Sequence, residues 1–247
     1  MAQPNIKQII KQEYIKCAKD PVYFMKKYCW IQHPTRGRVQ FNLYPFQEGA
    51  LNLLQKNDRN IILKSRQLGI STLSAGISLW MMVFQKDKAI LVVATKQDTA
   101  KNLVTKVKFM YDNLPSWLQI GFVENNKLAL RLKNGSQVKA VSAASDAGRS
   151  EAISLLIIDE AAFIEENRIE EIWGSSQQTL STGGRAIVLS TPNGTGNFFH
   201  RMWTKAEEGA NGFVPIRLPW TVHPERNQEW RDKQDDELGL RMAAQEC

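Results

Sequence analysis

The stretch Ile61-Ile62-Leu63-Lys64-Ser65-Arg66-Gln67-Leu68-Gly69-Ile70-Ser71-Thr72 constrains the fold of this chain more than any other. An apolar run reads as a buried strand. A polar turn, one glycine and a Ser-Thr pair follow, and then an apolar, helix-like segment over residues 72–84. A strand, a turn with inward-pointing N–H groups and a helix N-terminus form a frame that holds phosphate. Against the pattern G-x-x-x-x-G-K-[ST] the loop departs twice. Counting back from Ser71, Ile70 occupies the lysine position and Lys64 the first glycine position.

A phosphate loop needs a cation near the outer phosphates. The long side chain of Lys64, at the front of the turn, can reach the point that the displaced lysine would hold. The loop residues Ser65, Arg66, Gln67, Leu68, Gly69, Ile70, Ser71 and Thr72 are the remaining candidates for nucleotide contact. Arg66 could act on phosphate from within the loop, or orient the loop by pairing with an acid. An ordinary strand-to-helix turn with a solvated lysine also fits this segment alone, so the rest of the chain has to decide.

Leu155-Leu156-Ile157-Ile158-Asp159-Glu160 is the second informative stretch. Its apolar part reads as a buried strand, and two carboxylates stand at its C-terminal end, the edge where open α/β sheets bind ligands. Asp159 could hold Mg²⁺ and Glu160 could orient a water for attack on a γ-phosphate; acids that merely cap a strand are the plainer reading. A further strand over 186–190 ends in Thr191-Pro192-Asn193-Gly194, which puts Ser190 and Thr191 beside the same edge as possible γ-phosphate sensors. Gln47, in Leu43-Tyr44-Pro45-Phe46-Gln47, offers a donor and an acceptor side by side, the complement of the N6/N7 edge of adenine. An exposed glutamine at a helix start is its plainer reading.

Elsewhere, residues 5–28 read as a basic helical arm, either packed on the body or touching DNA. Residues 38–41 read as a short strand and 89–94 as a buried one. A helix over 98–113 carries Lys101, Lys106 and Lys108, and Asn134-Gly135 joins 127–132 and 137–142 into a β-hairpin inserted before the 155–158 strand. Ser145-Asp146-Ala147-Gly148-Arg149-Ser150 reads as a polar loop. An apolar stretch over 213–218 and a charged helical tail close the chain. The organisation expected is an arm over 1–42, a core over 43–220 and a helical subdomain or linker over 221–247. The net charge of +7 favours an acidic partner, nucleic acid before membrane. Cys17, Cys29 and Cys247 lack metal-ligand spacing and read as reduced thiols of a soluble, intracellular protein.

Gln47, the KSRQLGIST loop, LLIIDEAAF at 155–163 and STPNGTGNFFHRMW at 190–203 together resemble the large terminase subunit of tailed bacteriophages, in its myovirus-type branch. The resemblance implies an α/β fold of the ASCE or RecA-like P-loop type: a central, mostly parallel sheet with helices on both faces. It implies ATP and Mg²⁺ as cofactors and a motor that moves double-stranded DNA into a procapsid in the host cytoplasm. Portal protein and small terminase subunit are the implied partners, with a homo-oligomeric ring during packaging and a monomer in isolation. By the same resemblance Gln47 reads adenine, Ser71 supplies the metal-linked hydroxyl, Asp159 and Glu160 are the Walker B pair, and Ser190-Thr191-Pro192 couples hydrolysis to motion. The ring makes Arg149 a candidate to act on a neighbouring subunit, beside Arg66 within its own. The nuclease that large terminases also carry has no counterpart cluster of acids on strands after Gly194, so the chain reads as a motor domain without its nuclease. Two other readings stay open: a superfamily 2 helicase-like fragment, and a nucleotide-binding scaffold that lost hydrolysis with Ile70.

Overall fold

Strands that are apolar on both faces must be covered on both, and that requirement sets the architecture. The computed structural model describes residues 5–143, 152–180 and 183–246. The chain begins with α1 (Ile6–Lys19), α2 (Pro21–Tyr28) and a two-stranded ribbon of β1 (Trp30–His33) and β2 (Gly37–Gln40). Next come α3 (Pro45–Lys56), β3 (Arg59–Lys64), α4 (Ile70–Phe84), β4 (Ala89–Ala94) and α5 (Gln97–Asp112). Then follow β5 (Phe122–Asn125), β6 (Ala129–Leu132), β7 (Gln137–Ser142), β8 (Leu155–Asp159), α6 (Glu166–Leu180) and β9 (Arg185–Ser190). The last elements are α7 (Phe198–Glu207), β10 (Val214–Leu218), α8 (Gln228–Leu238) and α9 (Leu240–Glu246).

The main sheet has the order β10-β3-β9-β8-β4-β7-β6-β5. It is parallel from β10 to β7, and β6 and β5 extend it antiparallel. Alternation along the strands sends Ile62, Val92, Ile157 and Leu189 to the face covered by α2, α3, α4 and α5. Ile61, Val93, Ile158 and Val188 go to the face covered by α6 and α7. Each such side chain contributes about 1.5–3 kcal/mol when fully buried. Because β9 lies between β3 and β8, three parallel strands bring Lys64, Ser190 and Asp159 to one edge.

Several expectations change in detail. The basic arm is two helices, not one: Asp20 accepts a 2.9 Å bond from the Tyr23 N–H, and Pro21 starts α2. It packs on the body, where the Trp80 indole on α4 donates to the Cys17 carbonyl at 2.9 Å. The Asn134-Gly135 hairpin is part of the main sheet, since its second strand β7 lies parallel beside β4. The apolar stretch near 213–218 is the edge strand β10, paired with β3. Cys17 and Cys29 are buried free thiols, and among the described residues no helix is long and apolar enough to cross a membrane.

A polar knot fastens α1 to α2. Glu13 accepts from the Lys27 ammonium at 2.6 Å, the Tyr23 hydroxyl at 2.5 Å and the Tyr28 hydroxyl at 2.7 Å. The bonds from Lys27 and Tyr23 lower its pKa from 4.5 to about 2. A carboxyl depressed on folding adds stability above its unfolded value, and that stability is lost as pH falls through the folded one. We expect Glu13→Gln to lower the melting temperature at neutral pH, with the gap to the parent closing between about pH 4.5 and 2. Calorimetry of both proteins across that range checks it; a gap independent of pH would contradict it.

Candidate active site

The turn after β3 is built from the outside inward. Gln67 and Gly69 both adopt left-handed backbone, at φ 59° and 73°. At Gly69 a Cβ would lie 2.7 Å from Nε2 of Gln47, so two independent constraints require glycine. Leu68 and Ile70 point into the core, and the Leu68 carbonyl is taken by a side-chain amide. The position usually held by lysine therefore serves packing, while a positive charge stands at the front of the turn.

That charge is Lys64. Its side chain is only 7% exposed and donates from Nζ to Oε1 of Glu160 at 2.9 Å. Glu160 follows β8 in left-handed backbone, φ 53° and ψ 45°. Holding a non-glycine residue there costs roughly 1–2 kcal/mol. Its Oε2 stands 3.4 Å from both the N–H and the hydroxyl of Thr191, just past β9. Ser190 is occupied differently: its hydroxyl oxygen accepts from the Ala162 N–H at 3.1 Å and fixes the turn after Glu160.

Ser71, in the first turn of α4, donates to Oδ2 of Asp159 at 2.8 Å. Oδ1 of Asp159 is buried with no hydrogen-bond partner. Burial first, and then the charge of Glu160, push the Asp159 pKa up, against Lys64 and the Ser71 bond. An orphaned carboxylate oxygen beside a serine hydroxyl is an oxygen donor set that suits Mg²⁺, which keeps few protein ligands and takes the rest from water and phosphate.

Gln47 is 4% exposed. Its Oε1 accepts from the Tyr44 N–H at 3.1 Å and its Nε2 donates to the Leu68 carbonyl at 2.9 Å, so it braces the phosphate loop. Both halves of the amide are thereby engaged within the protein. Tyr44 stacks on Phe46 at 5.7 Å and meets His223 at 4.8 Å. Arg66 is exposed and ion-paired with Glu246 at the end of α9. Its N–H also donates to the Glu246 carbonyl at 2.8 Å, and its carbonyl accepts from Arg226 at 2.9 Å. Glu246, Arg226 and His223 carried no motif and stand far from the loop in the chain, so only the fold reveals them. Arg149 lies outside the described residues. On α5, Lys101 pairs with Asp98 and Lys108 with Asp112 along the helix surface, while Lys106 turns into a cavity.

A phosphate loop after β3, a carboxylate pair at the end of β8 and one strand between them define a RecA-like P-loop nucleotide-binding domain. Residues 61–241 match the family model described as terminase large subunit, T4likevirus-type, N-terminal, and the chain belongs to that family. Among solved structures, it is similar to the large terminase ATPase domain of Thermus phage P74-26 at 21% identity and TM-score 0.68, covering 83% of this chain and 92% of that one. It is similar to the HK97 bacteriophage large terminase at 18% identity and TM-score 0.68, covering 92% of this chain and 47% of that one. The large terminase of a thermophilic bacteriophage in complex with ATP-gamma-S matches at 11% identity and TM-score 0.60, covering 78% of this chain and 49% of that one. The chain thus spans nearly all of an isolated ATPase domain and about half of the longer terminases.

Gly69→Ala should force the left-handed turn onto a residue with a Cβ and displace the Gln47 amide from Leu68. We expect a loss of about 1–3 kcal/mol in stability, read by urea titration, together with weaker ATP binding. A variant as stable as the parent would show that the turn relaxes freely.

Proposed function

We propose that this chain is the motor part of a phage DNA-packaging machine, hydrolysing ATP with Mg²⁺ to translocate double-stranded DNA into a procapsid. The observation that carries the reading is the convergence of Lys64, Glu160 and Thr191 with Ser71 and Asp159 at one sheet edge. Ser71 and Asp159 would hold Mg²⁺, which when bound neutralises phosphate charge and orients the outer phosphates. Lys64 exchanges Glu160 for phosphate oxygens as the nucleotide arrives, because a multiply charged anion outcompetes one carboxylate. That exchange frees the Glu160 carboxylate to accept a hydrogen bond from the attacking water and aim it in line. Thr191, at hydrogen-bonding reach of the same carboxylate, registers the change at the tip of β9.

Further parts of the reading concern assembly. Gln47 sets the loop and offers its remaining hydrogen to the adenine. Arg66 reaches phosphate only after leaving Glu246, so Arg149 is the better candidate for a group lent to the neighbouring subunit of a homo-oligomeric ring. The ring would act with portal protein and small terminase subunit in the host cytoplasm, and the isolated chain is a monomer.

Lys64→Ala should abolish ATP turnover and weaken ATP binding, whereas Glu160→Gln should bind ATP and hold it unhydrolysed. Phosphate release and filter-binding measurements separate the two. Turnover within a fewfold of the parent in either variant would overturn the assigned role.

DNA contact by a translocating motor must be indifferent to sequence and go mainly to phosphates. The candidates are Lys101, Lys106 and Lys108 on α5 and the hairpin residues Lys127, Arg131 and Lys133. We expect affinity for random duplex to fall steeply with salt, each lost phosphate contact reducing the log–log slope by about 0.9. A triple change to alanine that leaves both affinity and slope untouched would remove the hairpin from the interface.

A further inference from the structure

A cavity of about 360 Å³ lies beside the phosphate loop but outside the catalytic constellation. One side is β1 with the turn after it, where Ile31, Gln32 and Pro34 face inward; the other is the length of α5. Thr72, in the first turn of α4, closes the end nearest the loop. The frame is held in place: Arg38 on β2 donates to Asn113 at the end of α5 at 2.9 Å, tying the ribbon to the helix.

The lining divides by chemistry. Ile31, Pro34, Phe109 and Met110 make an apolar wall, and Lys106 enters it as the one charged group among the described lining residues. Among the described residues Lys106 has no hydrogen-bond or ion-pair partner, unlike Lys101 and Lys108 on the same helix, each of which has an aspartate. Burial lowers its pKa, and the charge of Asp159 pulls the other way. A half-buried ammonium facing an apolar cavity, with no ion-pair partner in contact and only the more distant charge of Asp159 to offset it, is unfavourable, and a bound anion relieves it. The volume falls in the range of small-molecule sites, which combine apolar walls with a few convergent polar groups.

We propose that this cavity binds a small amphipathic organic anion, a carboxylate or phosphate head on an aromatic or aliphatic body of bicyclic size. Its head takes the Lys106 ammonium and its body lies on Phe109 and Met110. Such a ligand sits one residue from Ser71 along α4, so its site adjoins the nucleotide site without overlapping the groups that act on phosphate.

Naphthalene-2-carboxylate and its neutral analogue naphthalene-2-carboxamide can be titrated into the intact chain without nucleotide and followed by calorimetry and by protein-observed NMR. The carboxylate should bind about tenfold or more tightly than the amide, as a charge-assisted bond requires. Lys106→Met, which keeps the side-chain length, should erase that preference, and Phe109→Ala should weaken both ligands alike. Lys101→Met and Lys108→Met on the same helix should leave both affinities unchanged. No binding of the carboxylate up to its solubility, equal binding of the two ligands, or an unaltered preference in Lys106→Met would each overturn the proposal. Because the readout is ligand binding, none of these results depends on ATP hydrolysis.

Discussion

A lysine almost removed from water cannot stand alone, and the Lys64–Glu160 pair is the contact on which the site depends. It joins the end of β3 to the residue after β8 across the intervening β9. The sheet register therefore sets the distance between cation and acid. Breaking such a pair on one side costs more than the pair itself contributes, because a desolvated charge is left behind. A phosphate can take the place of the acid without that penalty. In the proposed reaction the same contact serves as a placeholder before the nucleotide arrives and as the source of a freed carboxylate afterwards.

The second contact, Ser71 to Asp159, works on the same plan with the opposite sign. A serine hydroxyl holds one carboxylate oxygen while the other stays buried and without a partner. Two adjacent acids at the end of one strand thereby acquire different environments. One is buried and held by the Ser71 hydroxyl; the other is half-exposed and turned toward Lys64 and Thr191. Residue type alone does not distinguish them. Backbone direction does, since Asp159 ends the strand and Glu160 turns left-handed away from it.

Much of this was legible in the residues. The apolar runs at 61–63, 89–94 and 155–158 specified buried parallel strands, and the loop and acids specified the edge at which they meet. What the residues could not show was lateral order. Nothing in 186–190 says that its strand lies between the other two, because neighbours in a parallel sheet are chosen by crossover packing and not by local pattern. The break at Asp20-Pro21 carries its own signal, a cap followed by proline, but the apolar spacing running across it masks the boundary. Gln47 stands out in the sequence, yet its bonds to Tyr44 and Leu68 depend on how α3 docks. The clamp of Arg226 and Glu246 on the phosphate loop joins positions some 160 and 180 residues apart, with no periodic signal to betray it. The lysines of α5 look alike in sequence, and only the fold separates the one facing the cavity from the two neutralised within their own helix turn.

The left-handed backbone at Glu160 has a meaning for how such chains vary. A glycine would sit there without strain, and an asparagine with little, but either would leave the desolvated Lys64 without its carboxylate. A long acidic side chain kept at a conformation that disfavours it is held there by the buried cation that it neutralises. A change at this position would therefore relieve backbone strain and strand a buried charge in the same step, and the second cost exceeds the first.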